Sequence, residues 1–201
     1  MYELIYTFAI ISIVAYMFYS WYNPKLLYVR SRIDNKIYVV RDTQDKQQAA
    51  DLLANVNKRL EKVVNKMKEK YGDSNKAVTL LANRFKNHDI RESLPKSGQT
   101  SYSINKGEKI VLCVRARNST ESLTDINTIM FVALHELAHI MTISIGHKKE
   151  FWDNFRFILA HAIKWKVWTP VNYNASPKPY CGIKITDSPL KTNEINKYFH
   201  S

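Results

Sequence analysis

The stretch 135-HELAHIMTISIGH-147 decides how this chain is read, because it sets two histidines and a glutamate into one of the most apolar segments of the sequence. Around it, Ile126, Ile129, Met130, Val132, Leu134, Leu137, Ile140, Met141 and Ile143 point in every direction of a helix expected to start near Thr124 or Asp125 as N-cap and to run to Gly146. A helix that is apolar all round is a buried helix. Imidazoles and a carboxylate buried without partners cost several kcal/mol, so these three are expected to share a specific partner. His135 and His139 stand four apart, one turn from each other on a single face, where both imidazoles can reach one ion. Glu136 lies beside them without competing for the same position, which makes the pattern H-E-x-x-H. Neutral imidazoles leave a bound zinc ion its positive charge, and three protein ligands leave a position open for water, whose pKa the ion lowers to about 7. Glu136 is then placed to accept the proton as general base.

A third ligand is required. Gly146 can end the helix in a left-handed turn and swing His147 back towards the ion. The other histidines are His161, on the following helix, and His88 and His200, in loop-like segments. That following helix carries a heavy apolar stripe, Phe151, Trp152, Phe155, Ile158, Leu159, Ala162 and Ile163, and is expected to pack beneath the metal helix. Tyr173 and Tyr180 are candidate donors to an oxyanion.

The rest of the chain reads as an anchor followed by one domain. Residues 4–22, LIYTFAIISIVAYMFYSWY, carry no charge and match the length needed to cross a hydrocarbon core of roughly 30 Å. Residues 1–23 are therefore expected to be a transmembrane anchor stopped by Asn23-Pro24, and 24–201 the domain that carries the H-E-x-x-H motif. Lys25, Arg30 and Arg32 follow the span, which is expected to place the globular part in the cytosol of a single-pass membrane protein. Two cysteines, Cys113 and Cys181, suggest no disulfide framework and suit a reducing compartment. With 30 Lys+Arg against 18 Asp+Glu, the formal charge of +12 suits an anionic partner, nucleic acid or lipid, or simply a solvated surface. Aromatic residues at 12% exclude a disordered chain.

A hairpin is expected around Asp34-Asn35. A long amphipathic helix follows, from Ala49 to Met67, until Gly72 ends the pattern. Its outer face carries Lys58, Arg59, Lys62, Lys66 and Lys70, a candidate nucleic-acid or anionic-lipid face. A shorter helix holds Ala77, Leu80, Leu81 and Phe85, residues 87–100 are loop-like, and a second hairpin turns at Asn105-Lys106-Gly107.

HELAH followed by GHKKEFW resembles the WLM and SprT-like group of zinc metallopeptidases. The likeness extends over roughly residues 27–185 through KIVLCVR and the aromatic-rich helix, and YCGIKITDSP is similar to WLM-type proteins of large DNA viruses. This resemblance implies zinc on His135, His139 and His147 with Glu136 catalytic. It also implies an α+β, zincin-like fold in which a small, mostly antiparallel sheet packs on helices around a buried HExxH helix. In that fold the strand Ile110 to Arg115 borders the cleft and pairs with an extended substrate.

The expected function is thus a membrane-anchored zinc endopeptidase acting on a protein or peptide substrate, DNA-associated or membrane-proximal. The rival is a non-catalytic, membrane-tethered module whose basic face binds nucleic acid or lipid while zinc only staples the fold. Glu136 discriminates, since a purely structural site needs no general base.

Overall fold

A computed structural model of the protein describes residues 2–22, 25–72, 74–95, 97–191 and 194. After helix α1 (Tyr2–Tyr22), strands β1 (Leu26–Arg30) and β2 (Ile37–Arg41) form the expected hairpin. Its turn uses Asn35 at φ 60°, a left-handed conformation that asparagine tolerates. Helix α2 (Lys46–Tyr71) lies across β1 and β2, burying Leu53, Val56, Leu60, Val63 and Met67, and helix α3 (Lys76–Phe85) packs beside it. Asn75 caps α3, its side chain accepting from the amides of Ala77 and Val78.

Strands β3 (Asp89–Glu92), β4 (Tyr102–Ile104) and β5 (Lys109–Leu112) complete a five-stranded sheet of order β1-β2-β3-β5-β4. Helices α4 (Ile126–Met141) and α5 (Lys149–Lys164) pack on each other, α4 also meeting α2 and α3, and a separate hairpin, β6 (Lys178–Tyr180) and β7 (Ile183–Ile185), closes the described chain. The architecture is α+β, a sheet on helices around one core that includes Val40, Ile90, Ile110, Leu134, Leu137 and Phe155.

Several expectations are corrected. Among the described residues no helix is long and apolar enough to cross a membrane. Helix α1 forms, but the hydroxyls of Tyr6, Thr7, Ser12, Tyr16 and Tyr19 recur through its apolar run. The transmembrane anchor, the single-pass placement and the cytosolic orientation drawn from flanking charge are overturned with it. The proposed helix stop at Asn23-Pro24 lies outside the described residues. The five-stranded sheet is mixed: β1-β2 and β4-β5 pair antiparallel, whereas β2-β3 and β3-β5 pair in parallel. The loop-like segment 87–100 contains β3, which sits at the centre of the sheet. Its Glu92 is buried because Arg115 donates Nε–H to Glu92 Oε1 at 2.7 Å and the Arg41 amide donates to Oε2 at 2.8 Å. The cysteines do pair: Cys113 and Cys181 form a disulfide joining the end of β5 to the β6-β7 turn, across a sequence separation of 68.

Candidate metal centre

Helix α4 begins at Asp125, whose carboxylate accepts from the Thr128 amide at 2.9 Å and from its hydroxyl at 2.6 Å. The helix ends at Met141, five residues before the expected Gly146, because Thr142 turns extended (ψ 139°). The chain from Thr142 to Gly146 is therefore irregular, and Gly146, at φ +79°, supplies the left-handed turn that returns His147 to the helix.

The outcome is a triangle of imidazole nitrogens. His135 Nε2 and His139 Nε2 are 3.2 Å apart, His139 Nε2 and His147 Nε2 3.1 Å, and His147 Nε2 and His135 Nε2 3.1 Å. The edge of a tetrahedron with zinc–nitrogen bonds of 2.0–2.1 Å is about 3.3 Å, so one small ion fits these three donors. His135 and His139 are also held in the neutral form. Burial, then the neighbouring His139 and His147, pulls the His135 pKa down to about 3. Burial, then His147 and Lys106, pulls that of His139 down to about 4. Both imidazoles are thus neutral at pH 7, each keeping one N–H and leaving one ring nitrogen with a lone pair for an ion.

Helix α5 braces the cluster from below, as its apolar stripe suggested. The Phe151 ring lies 4.8 Å from His135, 4.3 Å from His139 and 4.6 Å from His147, Phe155 lies 5.2 Å from His135, and Trp152 lies 5.5 Å from His147. Glu136 is only 4% exposed, and burial pushes its carboxyl up to about 7, while hydrogen bonds from the side chain and backbone of Ser103 pull the other way. Both groups face a cleft of about 790 Å³ lined on one side by β4 and on the other by Tyr180, Ile183 and Ile185 of the β6-β7 hairpin. The strand bordering the cleft is thus β4 and not Ile110 to Arg115: β5 is interior, between β3 and β4, whereas β4 is the edge.

Other sequence candidates lie elsewhere. His161 is a core histidine, with Nδ1 2.8 Å from the Phe157 carbonyl and Nε2 2.8 Å from the Tyr71 hydroxyl. His88 stacks on Phe85 and lies 2.6 Å from Asn57 Oδ1 through Nε2. His200 is outside the described residues. Tyr173 packs against Phe131 and does not line the cleft. Tyr180 does line it, with its hydroxyl 2.7 Å from Ser101 Oγ.

The basic face of α2 is largely engaged within the molecule. Lys58 donates to the Ile33 carbonyl at 2.9 Å, Arg59 to Val167 at 3.2 Å and Lys62 to Trp165 at 3.0 Å, while the Lys66 ammonium sits 5.8 Å from the centre of a Trp165 ring. These side chains staple α2 to the first hairpin and to the chain leaving α5. Three groups at the site were missed by sequence reasoning: Ser103, Lys106 and Glu150. Only the turn at Asn105-Lys106-Gly107 gave any signal.

On a fold of sheet on helices, three imidazoles converge, two of them from the helix that also bears a buried glutamate, into a cluster that could hold a metal ion. The match to the WLM domain model over residues 33–170 assigns the chain to that family, a zinc-dependent, metallopeptidase-like group. A protein of Acanthamoeba polyphaga mimivirus, R325, is 33% identical over 187 residues, 90% of this chain and 94% of its own length. Protein 136R of Invertebrate iridescent virus 6 is 25% identical over 140 residues, 66% of this chain and 76% of its own. The crystal structure of Wss1 from Saccharomyces cerevisiae aligns with a TM-score of 0.48 at 22% identity, covering 64% of this chain and 86% of that one.

Proposed function

We propose that this protein is a zinc-dependent endopeptidase in which His135, His139 and His147 hold the ion and Glu136 is the general base. The observation that carries the reading is the convergence of three Nε2 atoms within 3.2 Å of one another at a cleft that also holds the Glu136 carboxyl. When bound, zinc supplies a Lewis acid and lowers the pKa of a coordinated water to about 7.

The chain's own residues do the rest. The carboxyl of Glu136, kept from bulk water, takes up the proton of the attacking water and returns it to the leaving amine. Its raised pKa in the metal-free protein suits that exchange near neutrality, and a cation held beside it favours the carboxylate form. Ser103 of β4 lines the same cleft as Glu136 and favours the charged form of its carboxyl. Among the described residues β4 has a strand partner only on its β5 side, so an extended peptide can add along its other edge and bring a backbone carbonyl over the histidines. The hairpin opposite, with Ile183 and Ile185, walls the cleft and offers apolar surface to substrate side chains.

The test is hydrolysis of an unstructured protein such as casein by the zinc-loaded chain, followed by mass spectrometry of new termini. Cleavage that persists unchanged in Glu136→Gln refutes the assignment. A purely structural zinc is the poorer reading, because it gives no reason to bury a carboxyl beside the triad.

A further inference from the structure

The segment that carries the third histidine has no apolar anchor. Ile143 is 71% exposed and Ile145 is 83% exposed, so neither holds the chain between α4 and His147 in place by burial. Two charged side chains grip Ile143 and Ser144 instead, from different elements. Lys106, in the turn between β4 and β5, directs Nζ to the carbonyls of Thr142 at 3.2 Å, Ile143 at 3.3 Å and Ser144 at 3.2 Å. Glu150, in the first turn of α5, accepts the Ile143 amide at 3.0 Å and the Ser144 amide at 3.2 Å. The cation thus takes the oxygens and the anion the N–H groups of the same peptides.

Capping of α4 does not account for this. Arg84 already donates to the carbonyls of Ile140 at 2.8 Å and Thr142 at 3.1 Å, and two of the three Lys106 bonds lie beyond the helix, at Ile143 and Ser144. The turn that delivers Lys106 is itself conformationally costly. Asn105, Lys106 and Gly107 all have positive φ, at 49°, 55° and 114°, a region that a lysine rarely adopts. Gly107 is packed so close to α4 that a Cβ there would fall 3.0 Å from Ile140 Cγ2, one residue after His139. The same turn continues directly from β4, the edge strand at the cleft.

We propose that Lys106 and Glu150 are positioning residues for His147: together they set the path of Thr142 to Ser144 so that the third imidazole meets the other two, and through Lys106 they tie that path to the strand bordering the cleft. This rests on the assignment of His135, His139 and His147 as metal ligands. Neither residue belongs to the ligand set.

The experiment measures zinc affinity by competition with a chromophoric chelator, on the full chain, for the wild type, Lys106→Met, Lys106→Arg and Glu150→Gln. Lys106→Met and Glu150→Gln should each weaken zinc binding by about 10-fold, the scale on which outer-sphere partners of metal ligands act. Lys106→Arg, which keeps the charge and the donors, should recover most of that loss. The visible spectrum of cobalt-loaded Lys106→Met should move towards that of His147→Ala, whereas a merely structural lysine would lower the melting temperature of the metal-free protein without moving the spectrum. Zinc affinities within about twofold of wild type in both Lys106→Met and Glu150→Gln overturn the clamp while leaving the triad intact. Glu150→Gln keeps the test decisive if Lys106→Met does not fold, since Glu150 is on the surface. A wild-type protein that binds no zinc overturns the proposed function and the clamp together.

Discussion

His139 Nε2 and His147 Nε2 lie 3.1 Å apart although the helix bearing His139 stops at Met141 and the chain between Thr142 and Gly146 is irregular. Two nitrogens so placed, with a third equally near, repel as lone pairs unless a proton or an ion lies between them. The closeness of His147 therefore ties metal binding to the route of a loop, whereas His135 and His139 depend on helical pitch alone.

From this follows an asymmetry between ligand and base. The Glu136→Gln variant should retain about one zinc per chain by metal analysis, because Glu136 is not part of the triad, while peptide hydrolysis falls by roughly 10²–10⁴-fold. His147→Ala should lose metal and hydrolysis together. Normal zinc content in His147→Ala would remove that residue from the ligand set.

The ion pair between Glu92 and Arg115 is almost wholly shielded from water, with side chains 1% and 4% exposed. Removing one partner strands the other charge, although Asp45, 2.6 Å from Arg115 Nη1, softens the loss. Glu92→Ala should cost about 3–5 kcal/mol in urea unfolding, and a change below about 1 kcal/mol would mean that water reaches the site.

The Cys113–Cys181 disulfide closes a loop across 68 positions. Replacing both cysteines by serine should lower stability by about 4 kcal/mol on the chain-entropy account, seen as a lower urea midpoint that no longer responds to a dithiol reductant. The wild type should respond to that reductant. Because Cys181 sits in the β6-β7 turn at φ 51°, the cleft wall should be the region whose amide exchange rises most.

His161 makes stability depend on pH. Burial holds its imidazole below the ordinary value of 6.5, Lys70 and Lys164 add to this, and the Phe157 carbonyl opposes it. The unfolded chain therefore binds the proton more readily. The contribution is complete above about 6.5 and is lost as pH falls from there towards the folded pKa, at up to about 1.4 kcal/mol per pH unit. His161→Gln should flatten that part of the unfolding free energy against pH. His88, also held low by burial, keeps its own share.

Much of the site was legible because its signals are local. The four-residue spacing of His135 and His139, the Asp125 cap, the apolar periodicity of α2 and the all-round apolarity of α4 depend on helix geometry within a turn or two. Asp34-Asn35 announced a hairpin and Gly146 a left-handed turn for the same reason. What tertiary structure alone decided was pairing between distant segments. Asp89–Glu92 carries a single aliphatic residue, and it becomes a central strand because β2 and β5 flank it and Arg115 neutralises its buried glutamate. The cleft edge fell to β4 rather than β5 because strand order is set by how the helices cover the sheet, which alternation within one strand does not encode. Cys113 and Cys181 met because the last hairpin folds back over β5. Periodicity records what a residue does to its neighbours a few positions away; burial of charge, strand order and cross-linking depend on which remote surfaces exclude water together.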